Sequence, residues 1–264
     1  MKTKFLFPLL IFAALVNLTS CSKDDDDKAP TLNKTSITLY VDDTATLTYS
    51  GGNCTWSSDN ELIASVKNGV ITGEHVGTTT IHANKATCKV TVKPRYTNVF
   101  EPCLQWGANQ STIKQYMSGY TLLSSSSTSL LYAGNGVNDI MGYAYSFENG
   151  KLSLSMLMAS YYAASYVTDF LLERYAVIDV DQDSYTAYMI TPDFTTGIIL
   201  IFDDSALEVG YIPIPESTKS VNRYDYKFNK AIINKAKQEL PKNNVEKISD
   251  VTINEIFSRL QQLK

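Results

Sequence analysis

The sequence holds only two histidines, four cysteines and eight prolines in 264 residues. Both histidines, His75 and His82, lie in the first third, which excludes a histidine-dependent triad from everything beyond residue 82. Four cysteines are too few for a disulfide-dense mini-protein, and 13 glycines with 8 prolines too few for a collagen-like chain. Basic residues number 23 against 27 acidic ones, a net charge of −4, and no stretch is basic enough for a nucleic-acid footprint. No apolar run reaches the roughly 20 residues of a membrane span. What remains, 44% hydrophobic and 19% charged, suits one large globular domain or two ordinary ones.

The first 20 residues read as a secretory leader: Met1-Lys-Thr-Lys, an apolar run from Phe5 to Val16, then small and polar residues. Leu18-Thr19-Ser20-Cys21 resembles the lipobox of bacterial lipoproteins, which implies that Cys21 is lipidated and becomes the mature N-terminus. Residues 21–29 form an acidic tether, because the adjacent carboxylates of Asp24 to Asp27 repel one another and stay in water. Lys23 and the acidic run directly after the lipid cysteine resemble the surface-export signal of Bacteroides lipoproteins. That resemblance implies an outer-membrane lipoprotein facing the cell exterior, the alternative being one that faces the periplasm.

Residues 30–93 alternate in short, Thr- and Val-rich runs punctuated by glycine, as in Ile37–Val41, Thr44–Tyr49 and Cys88–Val92, and predict an all-β sandwich. Trp56-Ser-Ser-Asp, Ala64-Ser-Val, Asn68-Gly-Val-Ile-Thr-Gly, Gly77-Thr-Thr-Thr-Ile and Val90-Thr-Val occur in an order that resembles the bacterial immunoglobulin-like family called group 2. The resemblance makes Trp56 a core residue. It also implies that Cys54 and Cys88 fall near one end of the sandwich, where an exported compartment favours a disulfide; two free thiols are the alternative. Both histidines lack ligand-spaced partners and read as structural or solvated.

A linker, 94–100, leads to an α+β domain over 101–264. Its sequence carries a weak internal repeat at an offset of 55 residues, with Tyr120 matching Tyr175, Gly142 matching Gly197, and Phe147 matching Phe202. Each copy predicts an amphipathic helix (Ile113, Tyr116, Met117; Val167, Phe170, Leu171) followed by an antiparallel sheet. In the first hairpin, alternation predicts one apolar face made of Tyr143, Tyr145, Phe147, Leu152, Leu154 and Met156, with Ser153 and Ser155 on a wet face. In the second, Ile199, Ile201 and Ile212 make the opposite face too apolar for open water, so C-terminal helices or a partner must cover it. A helix plus a four-stranded sheet, used twice, resembles the duplicated architecture of β-lactamase-inhibitor-like proteins. Helices are predicted across 226–264, one around Phe228, Ile232 and Ala236 and one from an Asp250 cap with Ile256, Phe257, Leu260 and Leu263 on one stripe.

Chemistry is scarce. Asp179, Asp181 and Asp183 open like a calcium loop, but Ser184 and Ile190 stand where an EF-hand needs Gly and Glu, so no metal or cofactor is expected. The run from Ser124 to Ser129 has no local base, and no catalytic residue is singled out. The chain has 17 tyrosines, and Tyr143, Tyr145 and Tyr188 are candidate ligand-binding aromatics. The expectation is a lipid-anchored, non-catalytic binder of a glycan or a protein, its second domain raised on an immunoglobulin-like spacer. A carboxylate-dependent hydrolase and an inhibitor of a secreted enzyme are the alternatives.

Overall fold

The computed structural model describes residues 29–202, 206–215 and 251–263. The leader, Cys21, the acidic tether up to residue 28 and the helix expected around 228–236 lie outside the described residues. The fold is mostly β, with three sheets and few helices.

Seven strands make the first domain: β1 (Ser36–Tyr40), β2 (Thr44–Thr46), β3 (Trp56–Ser58), β4 (Ala64–Lys67), β5 (Val70–Gly73), β6 (Gly77–Ala83) and β7 (Ala86–Lys93). They form a four-stranded sheet of order β1-β7-β6-β3 and a three-stranded sheet of order β2-β5-β4. β1 runs parallel to β7, and the other pairs are antiparallel. Alternation in β1, β6 and β7 sends Ile37, Leu39, Ile81, Val90 and Val92 inward, where they meet Leu47 and Ile71 in one core. Trp56 is half-buried against that core. Asn68 and Gly69 turn β4 into β5 with φ of 52° and 81°, the two-residue geometry that matches strand twist. A Cβ at Gly69 would meet the Leu47 carbonyl at 2.5 Å, so only glycine fits there.

The expected disulfide is corrected. Cys54 and Cys88 are free thiols. Cys88 stands opposite Ile81, and Ile81 opposite Ser58, so Cys54 lies two strands over and four residues along. That is about 13 Å along the strand and about 10 Å across, far beyond the ~7 Å Cα separation a disulfide tolerates.

The second domain comprises α1 (Gln110–Tyr116), β8 (Leu122–Ser125), β9 (Ser129–Ala133), β10 (Ile140–Glu148), β11 (Lys151–Ser160), α2 (Ala164–Leu172), β12 (Ala176–Asp181), β13 (Thr186–Ile190), β14 (Thr196–Phe202), β15 (Ala206–Pro213) and α3 (Val251–Gln262). A short 3-10 turn, Tyr161–Ala163, leads into α2. Asn109 caps α1 by accepting from the Thr112 N–H at 3.0 Å. The strands form a single antiparallel sheet of order β12-β13-β14-β15-β11-β10-β9-β8. One helix followed by four antiparallel strands thus occurs twice, and β11 pairs with β15 at the join. A shift of 55 residues carries α1 onto α2 and each of β8 to β11 onto β12 to β15 within about two residues.

One face of this sheet packs under the helices, with Tyr143, Tyr145, Leu157, Leu200, Val209 and Tyr211 in a core that also takes Ile113, Met117, Phe170 and Leu171. The alternation expected of β11 fails in the middle. Ser146 faces Leu154 but Phe147 faces Leu152, which leaves Ser153 as an extra residue in a bulge. Beyond it every side chain changes face. Leu154 and Met156 join Tyr188, Ile199 and Ile212 in a second buried cluster. Ser155, expected on a wet face, is fully buried and donates to the Cys103 carbonyl at 2.6 Å. Ser155→Ala should therefore cost about 1–2 kcal/mol, measured by urea unfolding, because a buried carbonyl loses its donor. No change in the unfolding midpoint would show that Cys103 finds another donor.

α3 packs on its own domain, against α2 and β12, with Phe257 and Leu260 wholly buried and Leu263 left 53% exposed. A fourth apolar group, Ile190, Phe194 and Ile214, takes in Leu62 from the sandwich. The two domains are in contact.

Candidate functional site

Three segments meet where the domains touch: the turn Glu74–Val76 of the sandwich, the linker around Arg95 and Tyr96, and the C-terminal end of α2. Glu173, the residue that ends α2, is 5% exposed. Its carboxylate accepts the backbone N–H of Arg95, 2.8 Å from each oxygen, and that of Tyr96 at 2.8 Å. Its main-chain carbonyl accepts from Val76 N–H at 2.7 Å. One residue thus holds both the linker and the sandwich. Arg174 beside it donates to the carbonyls of Phe170 and Tyr96 and lies 3.7 Å from the Phe170 ring centre. Farther along the seam, Asn60 Nδ2 donates to the Pro192 carbonyl at 2.8 Å.

Between these contacts lies a cleft of about 560 Å³. Asp42, Leu62, Glu74 and His75 line it from the sandwich, Arg95 and Tyr96 from the linker, and Asp169, Leu172, Glu173, Tyr175, Arg259 and Leu263 from the second domain. Several of its charges are already paired. Arg259 donates to Asp169, and Arg95 meets Asp43 at 2.6 Å while lying over the Tyr40 ring. Asp169, through its charge and a hydrogen bond, pushes the Tyr96 phenol up. Burial pushes the His75 imidazole down, against the carbonyls of Leu62 and Tyr175 and the carboxylates of Glu74 and Asp42, which pull it up. Behind the cleft wall, Tyr175 donates to Glu101, whose carboxyl burial pushes up while that bond and Arg174 draw it down.

The candidate aromatics are corrected. Tyr143, Tyr145 and Tyr188 are 1%, 1% and 2% exposed and belong to the two cores of the sheet. Tyr145 accepts from Cys103 N–H at 3.3 Å and donates to Met117 Sδ at 3.0 Å. Tyr143 stands edge-on to Phe100 and Tyr120. Burial raises all three phenols, that of Tyr188 to about 12. These rings supply the domain's interior and offer nothing to a ligand. His82 pairs with Asp59 at 2.8 Å on the surface. Trp106 donates to Thr196 at 2.9 Å and ties the start of α1 to the second half of the sheet.

Among the described residues no group of three or more His, Cys, Asp or Glu side chains is placed to hold a metal ion, and no helix is long and apolar enough to cross a membrane. Asp179 and Asp181 lie on β12. The chain matches no family model and no curated protein. Sequence reasoning missed the seam because Glu173, Arg95 and Tyr96 carry no local signature. The one available hint was a glutamate directly after the apolar stretch Phe170-Leu171-Leu172.

Proposed function

We propose that this chain is an exported lipoprotein, lipidated at Cys21 and held at the outer membrane facing outward, that binds a ligand without catalysis in the cleft between its two domains. The observation that carries the reading is the cleft itself: about 560 Å³, walled by both domains, with apolar, aromatic and charged groups converging on it. The lipobox-like Leu18-Thr19-Ser20-Cys21 and the acidic tether support the address. Two sheets closed over one core, with β1 parallel to β7, support the immunoglobulin-like reading of the first domain. The repeated order of one helix and four strands supports the reading of the second as a duplication. The likeness to inhibitor architecture carries no functional weight by itself.

The cleft also favours binding over hydrolysis. An acid–base pair needs two carboxyl groups free to act on a substrate. Of the four carboxylates that line the cleft, Glu173 is committed to backbone donors, Asp169 to Arg259 and Glu74 to the Ser65 hydroxyl at 2.6 Å, which leaves Asp42 without a second carboxylate to work with.

The test is a binding screen of the full chain against a glycan array and a panel of secreted proteins, followed by two variants. Asp42→Asn removes a charge from the cleft wall and suits that residue's backbone, whose φ is 67°. Leu263→Trp narrows the mouth at an exposed position. Each is expected to weaken a cleft-bound ligand about tenfold, some 1.4 kcal/mol. A ligand held equally well by both variants and the parent would place binding elsewhere.

A further inference from the structure

We propose that protonation of His75 releases the sandwich from the second domain, so that the seam between them is an acid-opened hinge. His75 sits at the centre of the contacts that join the domains. Its Nδ1 donates to the Leu62 carbonyl at 2.6 Å, and Leu62 is the sandwich residue packed against Ile190, Phe194 and Ile214. The next residue, Val76, donates across the seam to Glu173 at 2.7 Å. The ring is therefore coupled on one side to the apolar contact between domains and on the other to the hydrogen bond between them.

The charged groups around the ring come from every segment at the seam. Glu74 lies on its own turn and Asp42 follows β1. Asp169 and Glu173 come from α2, Arg95 from the linker and Arg259 from α3. Arg259 is neutralised by Asp169 and Arg95 by Asp43. The carboxylates of Glu74 and Asp42 and the carbonyls of Leu62 and Tyr175 favour the imidazolium, but burial outweighs them and lowers the proton affinity of the docked ring. When the domains part, water reaches the ring and its affinity for a proton rises toward that of an ordinary histidine, pKa about 6.5. The open form then binds the proton more tightly than the docked form. By linkage, docking is at full strength above pH ~6.5 and weakens as the pH falls below it. No other side-chain type has an ordinary pKa between about 5 and 8, and the chain's other histidine, His82, lies outside the cleft in a surface pair with Asp59.

The inference does not depend on what the cleft binds, because docking is measured without a ligand. Backbone hydrogen exchange of the full chain would be followed near pH 7.5 and near pH 5.5, corrected for the intrinsic pH dependence of exchange. The reporters are the Val76 amide, which is bonded across the seam, and the Leu200 amide in the middle of β14. Wild type is expected to lose Val76 protection on acidification, by at most about tenfold, while Leu200 stays protected. His75→Gln, which cannot gain the charge, is expected to show no such loss, and His82→Gln to behave as wild type. The hinge is overturned if Val76 protection does not depend on pH in wild type. Equal losses in His75→Gln and wild type overturn it as well, as does Leu200 falling together with Val76, which would mean whole-domain unfolding.

Discussion

Replacing Glu173 by alanine is expected to undock the two domains and turn a single unfolding transition into two. Its carboxylate is buried and accepts two backbone N–H groups of the linker. Hydrogen bonds to a charged acceptor contribute about 1.5–3 kcal/mol each, and water that enters the empty site recovers part of this. A net loss of about 3 kcal/mol in domain coupling corresponds to roughly a hundredfold rise in the undocked population. The Arg95–Tyr96 bond reports it directly: it is a tryptic site whose Tyr96 amide Glu173 holds. Cleavage there should quicken about a hundredfold, whereas Glu173→Gln, which keeps an acceptor oxygen, should fall between variant and parent. One cooperative melt and an unchanged cleavage rate for Glu173→Ala would show that the apolar contact around Leu62 holds the domains without it.

Phe257→Ala should detach α3 and cost the second domain about 3–5 kcal/mol. The ring is wholly buried and stands edge-on to Tyr185 and Phe202, with centroids 5.6 and 5.4 Å away. Among its polar ties, Arg259 to Asp169 joins a guanidinium that is 56% exposed to a mostly buried carboxylate. A pair open to water on one side contributes about 1 kcal/mol at most. Apolar burial therefore decides whether α3 stays in place, and Arg259→Ala should move the urea midpoint far less than Phe257→Ala. Equal effects would reverse that ranking. Leu263→Ala, at an exposed position, serves as the control and should stay within about 0.5 kcal/mol of the parent.

The β-rich fold was legible because period-2 alternation survives wherever one face of a strand is buried, as in β1, β6 and β7. It misled at β11, since a bulge inserts a residue without changing composition, and Ser153 looks like any outward serine. Helix spacing expects Ile113, Met117, Phe170 and Leu171 on the buried side of α1 and α2, as they are, but Tyr116 of the same stripe is 44% exposed. Compartment and the immunoglobulin-like resemblance favour pairing Cys54 with Cys88, whereas register along β3, β6 and β7 separates them. Tyrosine is ambiguous from sequence because its ring suits a core and its hydroxyl a surface. In Tyr145 the hydroxyl is satisfied inside by Cys103 and Met117, which no sequence window contains. The seam was the least legible part. Glu173 meets the linker 78 residues away in the chain, and only the closed fold makes that carboxylate a lock.

The bulge at Ser153 also bears on how the chain avoids misfolding. Two hairpins with the same apolar rhythm in one chain invite exchange, with β15 taking the place of β11 beside β10, or a strand of one copy inserting into another. The extra residue offsets the inward positions of β11 from those of β15 by one. An exchanged strand would therefore carry Leu154 and Met156, or their counterparts, to the wrong side of the sheet. Deleting Ser153 would make the two hairpins interchangeable in register, and the product to look for would be a strand-swapped dimer.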